Sequence, residues 1–166
     1  MKFYEMKVTG VVLDPTTYAP MVILKDSDEK NVLPIWVGIM EAAAIIAELE
    51  KVEIDRPMTH DLTKNIMADL DAKLTKIAVV DLKDNVFYAT LTIKSDNGKV
   101  VEIDSRPSDA IALAMRCDVP ILVSEEVILK SRVVDLTSDE VKRMSGEELT
   151  TMLKNFSAED FGKYKM

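Results

Sequence analysis

The sequence predicts an α+β fold: one compact domain in which two antiparallel or mixed β-meander units are each followed by a helix. Three observations predict it. Strand-like segments rich in β-branched residues come in two groups of three, at about 3–13, 20–26 and 31–37 and again at about 74–83, 86–94 and 99–104. Short polar turn sequences separate the members of each group, as antiparallel meanders require. Helical patterns then follow at about 39–51, 59–71 and 106–117.

In chain order, the first strand ends at the turn Asp14-Pro15-Thr16-Thr17 and the second at Lys25-Asp26-Ser27-Asp28-Glu29-Lys30. The third contains Trp36, in Pro34-Ile35-Trp36-Val37, and opens into a helix that from Glu41 to Leu49 carries only Glu41 and Glu48 as polar residues. Thr59 is a natural N-cap for the next helix. Lys83-Asp84-Asn85 and Ser95-Asp96-Asn97-Gly98 turn the second meander. Pro107 suits the first position of a helix, with Ser105 as its N-cap and Asp109 in its first turn. A short strand near about 120–123 is expected to return to a sheet edge. From Thr137 the chain changes to short amphipathic pieces, each opened by a cap and an acidic residue, Thr137 with Glu140, Ser145 with Glu148 and Ser157 with Asp160. The expected division is a domain over 1–136 and a helical tail over 137–166.

A chain of 166 residues, 48% hydrophobic and 30% charged, is long enough for one sizeable core and is not compositionally disordered. No apolar run reaches the ~20 residues of a membrane span, and the start of the chain leads straight into strand-like sequence, so a cytoplasmic protein with no membrane partner is expected. Cys117 is the single cysteine, which excludes an intramolecular disulfide or a cysteine-built zinc site. The net charge of −8 works against non-specific attraction to nucleic acid, which depends on lysine and arginine at phosphates. A divalent cation held by carboxylates would offset that charge locally.

Shifting the chain by about 68–69 residues lays Lys7, Val11 and Leu13 on Lys76, Val80 and Leu82, and Ala42 and Ala44 on Ala110 and Ala112. A βββα pseudo-repeat bridged by the 59–71 helix follows as a hypothesis, and it pairs Glu41 with Asp109 and Glu48 with Arg116. Positions i and i+7 on a helix stand about 10 Å apart, so one metal ion must draw its ligands from different elements.

Three ordered segments carry a resemblance. They are Asn31-Val-Leu-Pro-Ile-Trp-Val-Gly38 with Glu41-Ala-Ala-Ala-Ile-Ile-Ala47, then Arg56-Pro-Met-Thr-His-Asp-Leu62, then Ile103-Asp-Ser-Arg-Pro-Ser-Asp-Ala-Ile-Ala-Leu-Ala114 with Val119-Pro-Ile-Leu-Val123. In this order they resemble the bifunctional nuclease domain family, over roughly residues 1–135. The resemblance implies a compact α+β domain and, from the plant members, cleavage of DNA and RNA, with nucleic acid as the partner.

The residues offer parts for such chemistry. His60 is the sole histidine and its imidazole suits a general base, with Asp61 and Asp109 as candidate catalytic carboxylates. Arg56 and Arg106 each precede a proline at a helix entrance and either receive phosphate or lock carboxylates into ion pairs. Glu41, Asp104 and Asp109, with Asp61 beside them, are the candidate ligands for Mg²⁺ or Mn²⁺; Glu41 and Asp109 would equally serve as N-terminal helix carboxylates. The expected activity is metal-assisted phosphodiester hydrolysis of DNA or RNA. The alternative is a non-catalytic anion- or protein-binding regulatory module, which the acidic charge fits more easily. The apolar helices further predict a homo-oligomer, most simply a twofold dimer, to cover them.

Overall fold

Strands β1 (Phe3–Leu13), β2 (Pro20–Asp26) and β3 (Val32–Trp36) pair antiparallel in sequence order, as do β4 (Ala72–Lys83), β5 (Val86–Ser95) and β6 (Val100–Ser105). This is a computed structural model, and the structure describes residues 1–131. The turns are chemically specified. Asp14 Oδ1 accepts the Thr16 and Thr17 amides at 2.8 and 2.9 Å, and Asp84 and Asn85 both take positive φ, 49° and 62°, the backbone of a tight two-residue hairpin.

The short strand β7 (Ile121–Ser124) does not return to an edge. It lies between the two meanders, antiparallel to β1 and parallel to β4, and the seven-stranded order is β3-β2-β1-β7-β4-β5-β6. Its residues explain the difference. Ile121, Val123 and Ser124 are buried, and a strand this apolar gains partners on both sides only in the middle of the sheet.

The helices are α1 (Ile39–Leu49), α2 (Thr59–Asp69), α3 (Pro107–Cys117) and α4 (Glu125–Ser131). Alanines make α1 and α3 thin, and the two pack against each other, α1 over β1 and β2 and α3 over β4 and β5. Residues 42–47 and 110–114 are thereby buried together with Leu24, Ile77 and Val79, so the apolar helices are covered within the chain, without the second copy expected to cover them. Among the described residues, the order strand, strand, strand, helix occurs in both halves, with α2 between them against α3 and β4.

Helix ends differ from expectation in identifiable ways. Arg106 and Met58, both extended, are the N-caps in place of Ser105 and Thr59: Pro107 occupies the first turn of α3, and Asp61 Oδ2 accepts the Met58 amide at 3.0 Å. Lys51 and Asp71 take positive φ beyond α1 and α2, which end each helix two residues before the sequence patterns do. Among the described residues no helix is long and apolar enough to cross a membrane. The 136/137 boundary and the tail pieces from Thr137 onward lie outside the described residues.

Candidate functional site

The entrances of α1, α2 and α3 converge, and each delivers a polar side chain from its first turn or N-cap: Glu41, His60, and Arg106 with Asp109. Asp109 is the hub. His60 Nε2 lies 3.0 Å from its Oδ1, while Arg106 donates from Nε to Oδ2 at 2.7 Å and from Nη2 to Oδ1 at 3.1 Å. Arg106 Nη1 donates to Glu41 Oε1 at 2.9 Å, which ties α1 to α3. Gly38, the N-cap of α1, makes room for this: a Cβ there would collide with the Glu41 carboxylate.

The electrostatics follow from these contacts. Burial opposes the charge on Asp109, but the hydrogen bonds from Arg106 and His60 outweigh it and hold the carboxyl below its usual range. Asp109 and then Glu41 raise the already high pKa of Arg106. A carboxylate only accepts hydrogen bonds, so His60 must carry its proton on Nε2 when neutral, which leaves Nδ1 as a free base. Arg106 has five N–H groups and spends three here, so two remain for a further acceptor.

The other candidates stand elsewhere. Asp61 faces away from His60: its Oδ1 accepts Arg116 Nε at 2.8 Å and its Oδ2 the Met58 amide. Asp104 is exposed on β6, and its carboxylate makes no hydrogen bond or ion pair among the described residues. Arg56 is not part of the cluster either. It is exposed, without a partner among the described residues, and lines a separate cavity of about 300 Å³ with Asp61, Asn65 and Arg116.

This arrangement does not form a chelate. Glu41 and Asp109 share one guanidinium, Asp104 is not joined to them, and no three His, Cys, Asp or Glu side chains among the described residues are grouped to hold a metal ion.

The pseudo-repeat pairs Arg116 with Glu48. In the structure Glu48 pairs with Lys51, while Arg116, its side chain 3% exposed, binds Asp61 and donates to the carbonyls of Ala112 and Ala44 at 3.0 Å each. Lys64 closes the same corner on the Arg116 carbonyl at 2.6 Å. The signal in the sequence was an arginine inside Ala110-Ile-Ala-Leu-Ala-Met-Arg116, which must find a carboxylate if that helix is buried.

A second residue was missed outright. Ser108 is 7% exposed, its hydroxyl makes no hydrogen bond among the described residues, and it lines a cavity of about 320 Å³ on the Glu41–Arg106 side of the cluster.

The family model described as the bifunctional nuclease domain matches residues 22–135, a stretch containing all four residues of the cluster. The chain is 36% identical over 160 residues to an uncharacterized protein of Mycobacterium tuberculosis, covering 96% of this chain and 92% of that protein. It is 31% identical over 125 residues to bifunctional nuclease 2 of Arabidopsis thaliana and 26% identical over 124 residues to bifunctional nuclease 1 of Oryza sativa subsp. japonica. Those alignments take in 71% and 72% of this chain but 38% of each plant protein.

Proposed function

The chain belongs to the bifunctional nuclease domain family, and from that premise we propose that it hydrolyses phosphodiester bonds of DNA or RNA at the His60–Asp109–Arg106 cluster. The observation that carries the reading is the 3.0 Å contact of His60 Nε2 with Asp109, a carboxylate that also holds the guanidinium of Arg106, with Nδ1 left without a partner among the described residues.

In this reading Arg106 binds a non-bridging phosphate oxygen through its two free N–H groups and stabilises the charge that grows there. Water attacks phosphorus while His60 Nδ1 takes its proton. The new P–O bond forms as the ester P–O bond breaks, and the imidazolium returns the proton to the departing oxygen. Asp109 holds the ring and stabilises its charged form. Asp61 and Arg116 keep α2 seated on α3, so that His60 meets Asp109.

These steps use the chain's own side chains. A requirement for Mg²⁺ or Mn²⁺ is a separate proposal, and the same experiment decides it: purified protein is incubated with single- and double-stranded DNA and RNA, with either metal and with chelator. Cleavage that persists in chelator removes the metal; cleavage that persists in Asp109→Ala removes the cluster.

One observation favours a second reading. Arg106 is held by two carboxylates in a chain of net charge −8, which suits a non-catalytic module binding a small anion or a protein. That module predicts no turnover with any metal and a raised melting temperature with its ligand.

The reading also takes the protein as cytoplasmic and as a homo-oligomer, most simply a twofold dimer. Support for association comes from β6, an edge strand on which Val100, Val101 and Ile103 are exposed. Light scattering that returns 18.6 kDa at micromolar concentration overturns it.

A further inference from the structure

We infer that the cavity of about 320 Å³ beside Glu41 and Arg106 binds one unpaired nucleobase, stacked on Trp36 and met at its edge by Ser108 and Asn85. This rests on the nuclease reading of the adjoining cluster and names how its substrate is held.

The cavity brings together three parts of the chain: the β3–α1 junction with Trp36, the β4–β5 turn with Asn85 and Phe87, and the start of α3 with Ser108. Each supplies something a base uses. Trp36 is 38% exposed, and its ring nitrogen points to Asp14 Oδ2 at 3.4 Å, so the indole is anchored at one edge while much of the ring stays uncovered. Phe87, Ile35 and Val37 complete an apolar wall. Aromatic faces of this kind stack on any base, because every base has a π-face.

The polar groups are few and free. The Ser108 hydroxyl donates and accepts, and it lacks a partner among the described residues although the residue is buried. The exposed Asn85 carboxamide, on the tight turn, likewise has no partner there and offers one donor and one acceptor group. A largely apolar pocket with a small number of open polar groups is the usual form of a small-ligand site, and the volume lies at the lower end of that class.

Charge explains why a base and not a row of phosphates is the chief handle. Among the described residues Glu41 and Arg106 are the only charged side chains lining the cavity, and they pair with each other, so a neutral base enters without meeting the repulsion that a chain of charge −8 exerts on phosphates. The phosphate attached to that base then reaches the free donors of Arg106. A base engaged in a duplex cannot occupy the cavity, which makes single strands the preferred substrate.

Trp36 is the only tryptophan, so its fluorescence reports occupancy without any turnover. The protein is titrated with an octathymidylate, with an abasic oligonucleotide of equal length and with a duplex, at about 50 and about 200 mM salt. Quenching by the octathymidylate alone is expected, with affinity changing by less than about tenfold between the two salt conditions, as few phosphates are neutralised. Ser108→Ala and Phe87→Leu, at unchanged melting temperature, should each weaken it several-fold. Trp36→Leu, followed by the anisotropy of a labelled strand, should weaken binding roughly five- to a hundredfold. Equal quenching by the abasic strand or the duplex, or no quenching at millimolar strand, overturns the inference. Quenching without cleavage would remove the nuclease reading and leave the base site, whereas cleavage without quenching would do the reverse.

Discussion

Arg116 of α3 donates through Nε to Asp61 of α2 at 2.8 Å, and this buried pair fastens the helix that carries His60. Removing one partner leaves the other uncompensated. Asp61→Ala is expected to cost about 3 kcal/mol, the lower end for a broken buried pair because Asp61 is itself partly exposed. Arg116→Met keeps the volume but removes the guanidinium from Asp61 and the extra side-chain donors from the Ala112 and Ala44 carbonyls, which keep their helical partners, at about 1–3 kcal/mol. Urea unfolding of both variants checks the two values. An exposed pair of the Lys30–Asp28 kind, broken in parallel, should cost no more than about 1 kcal/mol.

Gly38→Ala separates the site from the fold. The new methyl collides with the carboxylate end of a flexible Glu41 side chain, not with backbone, so stability should change by less than about 1 kcal/mol. The Glu41–Arg106 contact is lost, and turnover should fall several-fold at an unchanged melting temperature.

Acid should loosen the cluster. Asp109 titrates below its ordinary 3.8 in the folded chain, so between the two values the unfolded state binds more protons. Its contribution is complete above the unfolded value and is lost as pH falls through the folded one. The urea midpoint should therefore drop more between about pH 5 and about pH 2 in the natural chain than in Asp109→Asn.

Cys117 provides an independent check on α3. Burial pushes its thiol up, and Lys64 and Arg116 only partly oppose this. Alkylation by iodoacetamide at neutral pH should be slower than that of a free thiol and should rise with pH. Alkylation as fast as a free thiol would mean that α3 opens at its end.

The meanders were legible because alternation and turn chemistry are local: Asp84-Asn85 writes its hairpin into two residues. Pro107 marked the start of α3 for the same reason. The meeting of Glu41 and Asp109 was hinted at by their equivalent places in two helices, but not that Arg106 stands between them, since this depends on how α1 and α3 cross. The central place of β7 was not legible, because the apolar character of four residues suits a buried strand without naming the strands on either side of it. Nor was the partner of Arg116. The choice between Glu48 on α1 and Asp61 on α2 is made by the seating of α2, which tertiary packing fixes. Ser108 looked like any residue of a first turn until the β4–β5 turn was seen across the cavity from it.

The proposed hydrolysis depends on His60, held by Asp109, to move the proton. Cleavage of a fluorogenic single-stranded oligonucleotide by His60→Ala, with and without added imidazole, tests it most directly. Turnover should fall by roughly 10²–10⁴ with a folded protein and recover in part when imidazole is supplied. Turnover equal to that of the natural chain would contradict it.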